Sequence, residues 1–206
     1  MKQLETELTS TDMQNIIAFN HTYLIITEAV ADQLNKEFFN DDLLMEKFDI
    51  QFARYYFNAL KNYVDNKTTP PAWKILFDLS KQNKTYQFIY MALGVNAHVN
   101  NDLGQSLYDI ISVESYKKDF DKVNKVIQQK IPLVVSSLKE DNIFVNTSKN
   151  LLQPLYAFIL YLLIKAWRKN AWNTYISLKN ENLSKGDIEE HARKIGSIFT
   201  RFKKIM

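Results

Sequence analysis

The chain has no cysteine. That excludes a disulfide framework, a thiolate zinc site, an Fe–S cluster and a cysteine nucleophile. It has three histidines only, His21, His98 and His191, too few for a multi-histidine metal centre. Four glycines and four prolines exclude collagen-like, linker-like and low-complexity readings. Long apolar runs are also missing. The most apolar stretch, Leu155 to Ile164, is followed by Lys165, Arg168 and Lys169. It falls short of the roughly 20 apolar residues a bilayer span needs, so it reads as a buried core helix and no transmembrane segment is expected. The start, Met1 to Glu7, is polar and acidic, unlike a signal peptide, and the expected location is cytoplasmic. There is no Gly-rich phosphate loop, Gly-x-Ser-x-Gly elbow, His-Glu-x-x-His or paired Glu-x-x-His, which argues against a di-iron carboxylate bundle.

What is present is an ordinary globular composition. The 206 residues are 46% hydrophobic and 24% charged, enough to bury a sizeable core. The net charge is +3, but it is spread unevenly. Residues 1–50 hold 3 Lys/Arg against 10 Asp/Glu, and residues 165–206 hold 10 against 4. Either the two ends pack together or solvate separately, or the basic end faces an anionic partner. No tight basic run exists beyond Arg201, Lys203 and Lys204, so nucleic acid is not an expected partner. A small-molecule ligand and a homodimer are the partners under consideration.

The periodicity is helical nearly throughout. Thr11 with Gln14 suggests a capping box that opens a helix to about residue 35. Asp41-Asp42 opens a second, to about residue 64, with Met45, Phe48, Phe52, Tyr55, Tyr56, Ala59 and Tyr63 at three- and four-residue spacing. Thr69 caps a short third helix that begins with Pro70-Pro71. A fourth runs over about 85–109, with a bend near Gly104. Ser115 opens a fifth, to about Lys139, in which Pro132 predicts a kink or break. A sixth runs from about Ser148 to Leu178, and Ser184 with Asp187 begins the last, which ends near Lys204. The gaps are short and the composition does not shift. The expectation is an all-α fold, a single domain over 1–206 in which about seven helices surround a buried central helix, with residues 1–9 as a candidate disordered end.

The fourth helix carries the chemistry. Tyr86 to Val95 is apolar almost all the way round, which marks burial on most sides. Its continuation, Asn96-Ala97-His98-Val99-Asn100-Asn101-Asp102, is abruptly polar. His98 and Asp102 are four apart on one face. That spacing suits two ligands to one divalent metal, a His–Asp hydrogen bond that tunes a general base, or a structural polar network. Asp49 lies among Met45, Phe48, Phe52, Ala53 and Tyr56, and is either a third member of a site with His98 and Asp102 or an ion-pair partner. Asn96 and Asn100 share a neighbouring face of the fourth helix. Asn124, on the stripe of Phe120, Val123, Ile127 and Ile131, can reach the same cluster. His21 reads as a satisfied core or boundary residue and His191 as a surface one. The aromatics, 13% of the chain, fit core packing or the walls of an apolar pocket.

Two family resemblances enter at these residues. Met45-Glu46-Lys47-Phe48-Asp49 with Phe52-Ala53 and Tyr56, the run Leu93-Gly94-Val95-Asn96-Ala97-His98-Val99-Asn100 with Asp102-Leu103, Asp119-Phe120 with Val123-Asn124, Pro71-x-Trp73 and Ala171-Trp172 are all involved. Together they resemble an uncharacterised, mostly bacterial helical family, domain of unknown function 5995. Leu is more usual there in place of Phe48, and Met in place of Val95. The resemblance covers about residues 10–180. It implies a compact helical domain and one constellation of Asp49, Asn96, His98, Asn100, Asp102 and Asn124, and it supplies no activity. Leu93-Gly94, His98 and Asp102 are also similar to the Leu-Gly-x-x-x-His-x-x-x-Asp helix of zinc-dependent phospholipase C. That match stops at Ser106-Leu107-Tyr108, where the family has Pro-x-His, and the chain lacks the further histidines of a three-zinc site.

Three functional expectations follow. One is a metal-assisted hydrolase with His98, Asp102 and Asp49 as ligands or acid/base set, and Asn96, Asn100 and Asn124 as ligand-binding residues. Another is a module for a small apolar ligand. The third is a structural or interaction protein whose polar cluster fixes helix packing.

Overall fold

The computed structural model describes residues 1–82, 85–112, 114–138 and 153–201. Its α-helices are α1 (Lys2–Leu8), α2 (Ile17–Ala31), α3 (Asp42–Val64), α4 (Pro71–Ser80), α5 (Gln87–Asn96), α6 (Leu103–Ile110), α7 (Lys117–Ser137), α8 (Gln153–Lys179) and α9 (Lys185–Phe199). Among the described residues there is no strand, and the all-α expectation holds. No helix among them is long and apolar enough to cross a membrane.

The ends of these helices follow from local chemistry. Asp41 caps α3 by accepting from the Leu44 amide at 2.9 Å. Ser184 and Asp187 form the anticipated capping box of α9: Ser184 Oγ accepts from the Asp187 amide, and Asp187 Oδ2 accepts from the Ser184 amide. Asn66 and Glu181 take the left-handed conformation after α3 and α8, letting Lys67 N reach Asn62 O and Asn182 N reach Ser177 O.

Several expectations are corrected. The candidate disordered end holds α1. Thr11 does not cap α2: its hydroxyl donates to Leu8 O and accepts from the Met13 amide, and a 3₁₀ turn at Gln14–Ile16 precedes α2. Thr69 is likewise not a cap, since α4 starts behind Pro70 with Pro71 in its first turn. α7 runs through Pro132 without a break, with that ring on the exposed side. Ser148, Lys139, Lys203 and Lys204 lie outside the described residues.

The central segment departs most from a regular helix. α5 and α6 form one rod joined by a π-helical turn, Ala97–Asp102, which stands where a bend at Gly104 was expected. Every residue from Ile89 to Leu107 is buried. α2, α3, α4, α8 and α9 all pack on this rod, and α7 closes the far side through α2 and α8. Close approach demands glycine at two points. A Cβ on Gly94 would stand 2.2 Å from Phe19 Cγ, and one on Gly104 would stand 2.8 Å from Thr174 Cγ2.

Candidate functional site

The site grows from the π-helical turn. Widening the backbone to i→i+5 bonds upsets the regular pairing of carbonyls. Gln105 Nε2 donates to Asn101 O at 2.8 Å and Ser106 Oγ to Asp102 O at 2.9 Å, so side chains meet that need. The same turn carries six consecutive buried residues, four of them polar or ionisable.

Asp102, wholly buried, is the hub. Its Oδ2 accepts from Trp73 Nε1 at 2.9 Å and lies 3.0 Å from His98 Nδ1, and its Oδ1 accepts from Asn101 Nδ2 at 2.8 Å. Trp73 and Asn101 can only donate through these atoms. The arrangement therefore suits a carboxylate, with the shared proton on His98 Nδ1. Burial pushes the Asp102 pKa up, and the bonds from His98, Asn101 and Trp73 pull against it. Burial pushes the His98 pKa down, opposed by Asp102. A buried, neutral imidazole held at Nδ1 leaves Nε2 as an acceptor, and that atom has no partner among the described residues.

His98, 2% exposed, sits in an aromatic cage. Its ring stacks on Phe52 with centroids 3.6 Å apart and planes 9° apart. Tyr23 meets it edge-on at 4.5 Å, and Phe19 at 5.8 Å. His98 also lines a cavity of about 90 Å³ between α2, α3, α5, the π-helical turn, α7 and α8. The walls are chiefly apolar, with Ile26, Phe48, Val99, Val123 and Ile164 among them. The polar side chains there are Thr22, Tyr23, Thr27, Asp49, His98 and Arg168. The hydroxyls of Tyr23 and Thr27 are neighbours, yet neither completes a well-aligned hydrogen bond.

The candidate residues separate into three groups. His98 and Asp102 are in direct contact, as their spacing predicts. Asn96 and Asn100 form a separate bridge: Asn100 Nδ2 donates to Asn96 Oδ1 at 3.0 Å, and Asn96 Nδ2 donates to Ala192 O at 2.9 Å, tying the rod to α9. Neither asparagine lines the cavity. Asp49 and Asn124 are reached only through the cavity. Asp49 lines it directly, half-buried, and burial raises its pKa to about 6. Asn124 accepts from Arg168 Nε at 2.9 Å, and Arg168 is the cavity residue.

As a metal donor set, His98, Asp102 and Asp49 do not fit. Both oxygens of Asp102 are occupied by N–H donors, and its Oδ2 faces the His98 nitrogen that would have to share the ion. Among the described residues no three of His, Asp and Glu converge as metal ligands. His21, half-buried and 3.4 Å from Glu5 Oε1, is the boundary residue expected, and His191 is exposed.

Sequence reasoning missed Arg168, which is 5% exposed. Its Nη2 donates to Phe120 O at 2.8 Å, and its guanidinium lies 4.3 Å from the Phe120 ring centre. The signal was available. Arg168 continues the stripe of Ala157, Leu160 and Ile164 and precedes Ala171, Trp172 and Tyr175, all buried. A cation on that stripe is a buried cation. Asp119 was likewise seen only as part of a motif. It accepts from the Asn40 and Asp41 amides and pairs with Lys122 at 3.0 Å, which anchors the chain entering α3.

Searches of the curated proteins and of the solved structures returned no match. A family model does match, over residues 1–204, and its description is "Family of unknown function (DUF5995)". With nearly its whole length covered by that model, the chain belongs to this family.

Proposed function

We propose that the protein, acting as one domain over 1–206, binds a small, mainly apolar molecule in the cavity beside His98. One observation carries this reading: an apolar cavity of about 90 Å³ is bounded by His98, whose buried Nε2 has no partner among the described residues. Ligand sites are commonly apolar concavities with a few convergent polar groups. A purely structural network would pair its polar atoms within the protein, because an unpaired buried group costs about 1–3 kcal/mol. His98 Nε2 is left over instead among the described residues. The Asp102–Trp73–Asn101 bonds then serve to hold the imidazole in one orientation, as support for the binding surface.

Ligand-observed NMR with 1-pentanol tests the reading. Saturable binding to the wild type, lost in Val123→Phe, is the expected result, because the larger ring fills the cavity. Absence of binding in the wild type, or binding unchanged in Val123→Phe, overturns it.

A further inference from the structure

The cavity has charged groups at its walls, and they are not equivalent. Arg168 offers five N–H donors, of which Nε and one on Nη2 are used, on Asn124 Oδ1 and Phe120 O. Both acceptors are neutral. Among the described residues no carboxylate lies within ion-pair distance of the guanidinium. Burial lowers its pKa only to about 10, and Tyr116 and Asp121 push the other way, so it stays charged at neutral pH. A buried cation without a counter-ion is costly, and a guanidinium cannot escape the cost by losing its proton. Asp49 can. Burial raises its pKa to about 6, and among the described residues it makes no ion pair with Arg168. Arg168 is the cation on the cavity wall, with N–H donors to spare.

We propose that the ligand is a short-chain carboxylic acid bound as its anion, with the carboxylate on Arg168 and the hydrocarbon body among Phe48, Phe52, Val99 and Val123. This rests on the cavity being a ligand site at all. The carboxylate supplies a counter-ion in direct contact, and its two oxygens match the fork of the guanidinium. The cavity is small, about 90 Å³, which favours a short hydrocarbon body over a long acyl chain.

Three probes with one hydrocarbon body decide it: pentanoate, 1-pentanol and pentylammonium, titrated by ligand-observed NMR at pH 7.5 against the full chain. Pentanoate should bind about tenfold more tightly than 1-pentanol, and pentylammonium more weakly than either. In Arg168→Met the preference for pentanoate should vanish while 1-pentanol still binds. In Asp49→Asn, which leaves Arg168 and its partners in place, pentanoate should bind at least as tightly as to the wild type. Equal affinity for pentanoate and 1-pentanol overturns the anionic head and leaves the cavity reading intact. Tightest binding by pentylammonium also overturns it and makes Asp49 the head-group partner. Binding by none of the three removes both the inference and the reading beneath it.

Discussion

At the scale of single residues, the fold depends on a few buried polar groups whose cost is met by donors or acceptors brought from distant helices. Asp102 is the clearest. Removing it orphans the Trp73 indole, the Asn101 amide and His98 Nδ1 together. Asp102→Ala should therefore lower stability by about 3–5 kcal/mol, read from the urea midpoint. A loss below about 1 kcal/mol would mean that the hub carries little of the packing. Asp49 should show the opposite sign. The native state holds its proton up to about pH 6, whereas an unperturbed carboxyl holds it only to 3.8. Ionisation above pH 6 therefore burdens the native state alone, and stability contributed by this group is lost as pH rises through 6. Asp49→Asn should be more stable than the wild type at pH 7.5. That advantage should shrink as pH falls from 6 toward 3.8. Chemical denaturation of both proteins across this range checks the sign, and a pH-independent difference would contradict the assigned burial.

At the scale of elements, helices were legible wherever their ends carry local chemistry. The capping box at Ser184, the Asp41 cap and the proline start of α4 lie close to their expected positions because each depends on residues within one turn. Pro132 shows the limit of local rules. The helix continues through it because the flanking residues Ile131 and Val134 are buried while the proline itself faces water. An interior proline still lacks an N–H for its own turn. Pro132→Ala should raise stability by about 1–3 kcal/mol, visible as a higher melting temperature. An unchanged or lower value would show that the ring contributes packing that outweighs the missing bond. The π-helical turn was not legible at all. Nothing in the run Ala97 to Asp102 breaks a helix, and the widened turn is sustained by Gln105, Ser106 and the partners that surround it.

At the scale of the whole molecule, the rod from α5 to α6 is the axis on which five other helices pack. Its amides should exchange hydrogen only through global unfolding, more slowly than those of α1 or the outer turns of α7. Mass-spectrometric exchange measures this directly. Fast exchange across residues 89–107 would show that the polar turn loosens the core. The basic charge of the second half sits on α8, with four Lys/Arg and no Asp/Glu, and α8 packs mainly on α6, α7 and the π-helical turn.

The sequence alone determined the helical class, the central burial of the fourth helix, and the His98–Asp102 contact. Each follows from periodicity or from spacing within one helix, where 100° per residue fixes which side chains meet. The tertiary structure alone decided the grouping of the rest. Asn96 turned to Ala192, Asn124 to Arg168, and Asp49 to the cavity, because those pairings join residues 44 to 96 positions apart or meet only across a shared void. Spacing along one chain contains no information about which faces of different helices will be pressed together. The cavity beside His98 exists only after six elements have packed around it.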